Sequence, residues 1–418
     1  MRFKYILFIV FVLSCVSLNA QTGSPYERKP IYIENNTIYT GESSSTFISF
    51  KVPYNNLVFI KDDSGYKSGI IFTVEIYSPK DEKLIRREST TLHLHTDTYE
   101  DTENPDIFLN GILSTNLDAG NYRIHPLVDL ENTNRSIKLR EFDIVVPEQN
   151  ADSVKAIIVS KDQLLCDEFE YFLVNHENKV PFGDNNSALF FSFPELISKS
   201  PKITVFNKGE IEYQPNAELF NNSSLTFNKC GTTIGLGIAE SSSNTTLLKI
   251  TEGLSHLREG RYNIEFEFDG KVVSSEFFVE WINKPLSLSR PRLAIELLNI
   301  AYGEEAARDL LRKDEEEYYD ELVKFWKKYD PVEETEFNEL MNEYYQRADF
   351  SIRNFSSLDK RNGAETDRGK TFIKFGYPDS IERGSNEKNK ITEIWYYGEM
   401  GKTFIFVDET GLGNFIQK

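Results

Sequence analysis

The chain has 418 residues, with 47 basic and 66 acidic side chains and a net charge of −19. So acidic a balance argues against nucleic acid as a partner, because that binding rests on lysine and arginine neutralising phosphates. Cys15, Cys166 and Cys230 are the only cysteines, too few for a disulfide framework, although Cys166 and Cys230 are the pair that one bridge would join in an exported chain.

Residues 1–20 have the layout of a signal peptide. Arg2 and Lys4 make a basic start, Tyr5 to Leu13 is an unbroken apolar run, and small and polar residues lead to Ala20. The run is well short of the roughly 20 residues needed to span a bilayer. Cleavage after Ala20 is expected, with export to the periplasm, outer membrane or cell surface. The alternative is a lipid anchor on Cys15, in the stretch Val12-Leu13-Ser14-Cys15. Loss of Arg2 and Lys4 with the leader lowers the net charge by two, to −21. No later stretch is apolar for long enough to cross a membrane.

Residues 21–147 read as a β-sandwich of the Ig-like kind. Thr46 to Val52 alternates, Ser68 to Tyr77 is rich in Val, Ile, Phe and Tyr, and turn clusters fall at Asp62–Gly65, Pro79–Asp81 and Asp118–Gly120. Short strands at regular spacing with no helical period predict two packed antiparallel sheets. A polar, aperiodic stretch from Pro147 to Asp152 marks a boundary. A second β-sandwich is expected over 152–283, with strands at Val154–Val159, Ala188–Phe193 and Lys202–Phe206. Its clearest feature is a hairpin, Arg261–Phe268 and Lys271–Val279, joined by Asp269-Gly270. The phrase Leu257–Ile264 echoes Leu117–Ile124, which suggests two units of similar build.

The period then changes, and residues 290–418 are predicted to form an α+β domain, a helical hairpin plus a small antiparallel sheet. Pro291 suits a first helical turn. Tyr318, Leu322, Phe325, Trp326 and Tyr329 lie on one helical face, and Phe337, Leu340, Met341, Tyr344, Ala348, Ile352 and Phe355 on another. Pro331 separates the two helices. Strands are expected at Thr371–Phe375, Glu393–Tyr397 and Thr403–Val407, with a fourth starting near Phe415.

All five histidines (His93, His95, His125, His176, His256) precede residue 257. The last domain therefore has no imidazole and no thiol, which excludes a histidine triad, a thiol nucleophile and a Cys/His zinc site within it. His93 and His95 fall on one strand face but lack a third ligand at a recognisable spacing. The acidic loop Asp97–Asp106 lacks the EF-hand pattern. Cys230–Gly237 is glycine-rich without a phosphate-loop lysine. No cofactor and no metal site are implied.

Several ordered motifs of the last domain carry a resemblance: Phe325–Pro331, Tyr344-Tyr-Gln-Arg347, Phe355-Ser356, Gly363-Ala-Glu-Thr-Asp-Arg-Gly369, Phe375-Gly-Tyr-Pro-Asp379, Glu393–Tyr397 and Phe404–Asp408. Together they resemble the GWxTD domain family, exported bacterial proteins of unestablished role. The signature tryptophan falls on Ala364. The candidate site is Thr366, Asp367, Arg368 and Gly369. Either they pin the chain to the helices, or they form one wall of a binding groove with Trp395, Tyr396 or Tyr397 as the other. The expected function is that of an exported envelope protein that binds an envelope protein or glycan. Two alternatives stay open. One is a carboxylate hydrolase pairing Asp367 with Glu365, Asp379 or Glu393. The other is a calcium-dependent adhesion module built on the acidic loop.

Overall fold

The computed structural model describes residues 31–39, 44–104, 106–148, 154–161, 168–242, 244–332, 334–358 and 360–418. The leader, Cys15, Cys166 and the polar boundary at 149–153 lie outside them. Cys230 is disulfide-bonded.

The Asp269-Gly270 hairpin forms as expected. Phe268 pairs with Lys271, and both turn residues have positive φ, 49° and 78°, as a two-residue turn matched to strand twist requires. Around it the chain is mostly sheet. In the first β unit, Tyr32–Tyr39, Ser44–Pro53 and Phe108–Asn116 form one antiparallel sheet. It faces a second sheet centred on Gly65–Tyr77 and Gly120–Leu130, and the two share a core in which Phe50 stacks on Phe72 at 3.9 Å. In the second β unit a seven-stranded sheet faces a five-stranded one across Phe191, Phe193, Tyr262, Ile264 and Phe266.

The two β units also pack on each other. Ile157, Val159, Phe190 and Leu247 of the seven-stranded sheet meet Ile38, Phe47 and Ile112 of the first unit's three-stranded sheet. Ser187–Phe193 is consequently buried at every position, which is why its sequence is a near-continuous apolar run instead of an alternation. Beside this contact lies a buried polar cluster. Glu34 accepts from the Asn178 backbone N–H at 2.9 Å and from Asn36 at 3.2 Å. Lys51 donates to the Val174 carbonyl at 3.2 Å. Burial pushes the Glu34 carboxyl up and the Lys51 ammonium down to about 8.

The C-terminal region holds six α-helices among the described residues: α1 Pro291–Leu297, α2 Asn299–Tyr302, α3 Glu304–Leu311, α4 Tyr318–Lys327, α5 Glu339–Asn354 and α6 Asp367–Phe375. An antiparallel sheet follows in the order β1 Ser380–Ser385, β2 Ile391–Tyr397, β3 Lys402–Asp408 and β4 Phe415–Gln417. The expected two-helix hairpin is replaced by a cluster. Trp326 of α4 packs on Tyr344 and Tyr345 of α5, whose hydroxyls donate to the α1 carbonyls of Leu297 and Ala294 at 2.6 and 2.9 Å. A second correction concerns Thr371–Phe375, expected as a strand but forming the last half of α6. Its five residues fit either period, and the Thr366 cap upstream decides for helix. Phe337 joins this region to the second β unit by packing on Phe182 and Trp281, at 5.5 and 5.2 Å between ring centres.

Candidate functional site

The Thr366–Gly369 motif is built into the helix junction. Thr366 Oγ1 accepts from the Gly369 N–H at 3.0 Å and donates to the Gly363 carbonyl at 2.7 Å. It therefore caps α6 and holds the 3₁₀ turn Gly363–Glu365 against it. Asp367 lies in the first turn of α6, where a carboxylate suits the helix dipole, and accepts from the Gln417 backbone N–H at 3.0 Å. Arg368 reaches away from it to Glu393 at 3.2 Å, and its guanidinium lies 3.9 Å from the Phe415 ring centre. Glu393 is buried and saturated. It also accepts from Arg383 at 3.1 Å and from the Trp395 indole at 3.3 Å.

Trp395 and Tyr397 are buried and cannot serve as an exposed wall opposite this motif, which corrects the expectation for those two residues. Trp395 is fully buried against Phe355 and Phe406. Tyr396 lies on the opposite face of β2 and donates to Glu382 at 3.0 Å. The carboxylates considered for a paired arrangement each have hydrogen-bond partners. Glu365 accepts from Asn362, Asp379 accepts from the Gly398 N–H, and Glu393 is saturated as described. The two strand histidines go to separate partners, His93 to Glu131 at 3.1 Å and His95 to the Ser64 carbonyl at 2.9 Å. In the acidic loop, Thr98 caps the helical turn Tyr99–Thr102. Among the described residues no three His, Cys, Asp or Glu side chains gather as a metal site.

A hollow of about 1060 Å³ lies where the two β units and the helices meet. Asn104 and Asp106 line it from the first unit, Glu280 and Lys284 from the second, and Arg347 and Tyr377 from the helical region. Asn283 donates to Asp106 at 3.1 Å across the first of these boundaries. Tyr377 is 70% exposed, yet its ring is braced edge-on against Phe372 and Phe350 at 4.7 and 5.3 Å. The turn that presents it is fixed. Gly376 has φ 75°, its carbonyl accepts from buried Tyr397 at 2.9 Å, and a Cβ there would lie 2.9 Å from an Arg347 guanidinium nitrogen. Burial raises the Tyr377 hydroxyl pKa, with Arg353 opposing. Asp349, on the same wall, accepts from the Leu286 and Ser287 amides, and burial raises its carboxyl pKa against those bonds.

Two segments that stand out in the sequence, Tyr344–Arg347 and Phe375–Asp379, thus meet at one surface. Residues 285–411 match the GWxTD domain family. No curated protein matches the chain. Among solved structures it is similar to the C-terminal domain of the Streptococcus pyogenes antigen I/II-family protein AspA, at 8% identity and a TM-score of 0.18 over 60% of this chain and 100% of that one. A tandem pair of titin Ig domains overlaps at 12% identity and a TM-score of 0.13, over 60% and 95%. Overlaps at these scores carry no weight for fold or function.

Within the GWxTD region, four of the five signature positions have structural tasks. Gly363 and Thr366 shape the turn, Asp367 sits at the helix start, and Ala364, where the family has tryptophan, is fully buried in the core that includes Trp326, Tyr344, Tyr345 and Ile373. Restoring the signature by Ala364→Trp is expected to overpack this core and destabilise it by about 1–3 kcal/mol. A lower urea midpoint by far-UV circular dichroism checks this. The groove residues Arg347, Arg353 and Tyr377 are not marked as a site by sequence pattern. Arg347 and Tyr377 lie within the family motifs, but off the apolar stripe of α5 and in a turn. Nothing in their spacing says that they meet each other or the β units.

Proposed function

We propose that this is an exported envelope protein that works by binding, with the three-way junction as its receptor surface for a glycan or a protein segment. We read the β units as tandem Ig-like sandwiches that carry the GWxTD domain and complete its groove. The observation that carries the proposal is Tyr377, a large aromatic ring braced at 70% exposure over this hollow. Rigid, exposed aromatic side chains that offer contact area at little entropic cost are characteristic of binding surfaces. Export is supported by the leader-like residues 1–20. Among the described residues no helix is long and apolar enough to cross a membrane. Binding without turnover is supported by the motif carboxylates, which are committed to backbone amides, guanidinium groups and an indole.

The test exposes the full chain and its Tyr377→Ala variant to arrayed envelope glycans and envelope-protein peptides, with mass spectrometry of whatever is bound. Binding to intact ligand, weakened at least about tenfold in the variant, is the expected result. Cleaved products that disappear in Asp367→Asn would instead establish the hydrolase.

A further inference from the structure

We infer that the junction groove takes a neutral oligosaccharide, with one sugar ring lying on Tyr377; this rests on the groove being the binding surface.

Three observations lead to the ligand's chemistry. The first is charge compensation. Arg347 pairs with Glu343, Lys179 with Glu280, and Lys284 with Glu259 at 2.7 Å. Asp349 is engaged by two backbone amides and lies within electrostatic reach of Arg353. An anionic ligand would have to compete with the paired carboxylates for Arg347, Lys179 and Lys284, and Arg353 already donates to the Asp349 main-chain carbonyl at 3.3 Å. Hydroxyl groups need no such exchange. Each donates and accepts, so a diol can bridge a guanidinium and its carboxylate without separating them.

The second is shape. About 1060 Å³ sits at the top of the range of small-molecule pockets, about 300–1,000 Å³, and suits an oligomer better than one small molecule. The third is the mix of surfaces. Phe350 and Phe372 stack on each other at 4.6 Å and hold Tyr377 so that it presents a flat apolar surface at the rim. The amides of Asn104, Asn283 and Gln346 line the same hollow. An apolar plate ringed by paired polar groups matches a pyranose, which has an apolar C–H face and a hydroxylated edge. The acidic chain, at −19 overall, adds repulsion against polyanions.

The experiment presents the full chain to an array of neutral oligosaccharides, uronic-acid oligosaccharides and extended octapeptides. The best neutral binder is then titrated by calorimetry in about 50 and about 500 mM NaCl, a range over which exposed charge pairs are progressively screened. Binding confined to neutral sugars is expected. Its Kd should change less than about twofold between the two salts and rise at least about tenfold in Tyr377→Ala. Unchanged tryptophan emission shows that the variant is folded. If acidic sugars or peptides bind instead and Tyr377→Ala weakens them, the ligand class is wrong and the groove stands. If neutral sugars bind and Tyr377→Ala has no effect, the groove reading falls as well. Absence of binding to every neutral sugar overturns the inference.

Discussion

Gly369→Ala is expected to cost the GWxTD region on the order of 3 kcal/mol or more, the upper end for forcing atoms into a filled site. A Cβ at Gly369 would stand 1.9 Å from the Gly363 carbonyl oxygen, and one at Gly363 would stand 2.0 Å from the Ser351 carbonyl oxygen. Both obstacles are backbone, so no side-chain rotation relieves them. The 3₁₀ turn is held between the end of α5 and the start of α6, and each glycine permits one of the two approaches. The measurement is convenient. All three tryptophans, Trp281, Trp326 and Trp395, lie in this region or at its junction with the second β unit. Denaturant unfolding followed by indole emission therefore reads this part of the chain. The transition should move to lower denaturant in Gly369→Ala and in Gly363→Ala. Gly401→Ala is the control for space, since nothing lies within 4 Å of a Cβ there. Its φ of +59° still favours glycine, so a modest loss of about 1 kcal/mol is expected.

The second large effect is expected at Glu393. The Arg368 and Glu393 side chains are only 13% and 5% exposed, so Glu393→Ala strands a buried guanidinium and an indole N–H. Removing one partner of a buried pair typically costs about 3–5 kcal/mol. Arg383, bonded to the same carboxylate, is 73% exposed, and Arg383→Ala should cost no more than about 1 kcal/mol. The contrast separates a buried network from a surface contact. Equal, small losses in both variants would mean that the network does not hold the sheet to α6. Trp395 donates to Glu393, so the same indole emission follows the loss directly.

Much of the fold is written locally. Gly260–Phe268 alternates in burial along its whole length after its first two residues, and the residue pattern alone carries that alternation. Ser187–Phe193 is legible as a strand, but its second buried face is not, because the neighbour that covers it belongs to the other β unit. Residues 371–375 mislead because five residues between two turns satisfy either period. The cap that makes them helical is one hydroxyl, Thr366, bonded to Gly369.

The motif is legible as a constellation but not in its roles. Thr366, Asp367, Arg368 and Gly369 are the right residues for a staple, and Glu393 stands two positions before Trp395. Pairing Arg368 with Glu393 requires knowing that β2 lies over α6. The groove is less legible still. Its walls come from residues as far apart as Tyr32 and Tyr377, and nothing in their spacing says that they meet. The off-stripe position of Arg347 on α5 is the only trace.

The most direct test separates the motif from the groove. The neutral oligosaccharide that binds the full chain best is titrated into wild type, Asp367→Asn and Tyr377→Ala, with indole emission confirming that each is folded. Binding that persists in Asp367→Asn and is lost in Tyr377→Ala is the expected result. Binding lost in Asp367→Asn and kept in Tyr377→Ala would contradict it, and would return the site to the motif.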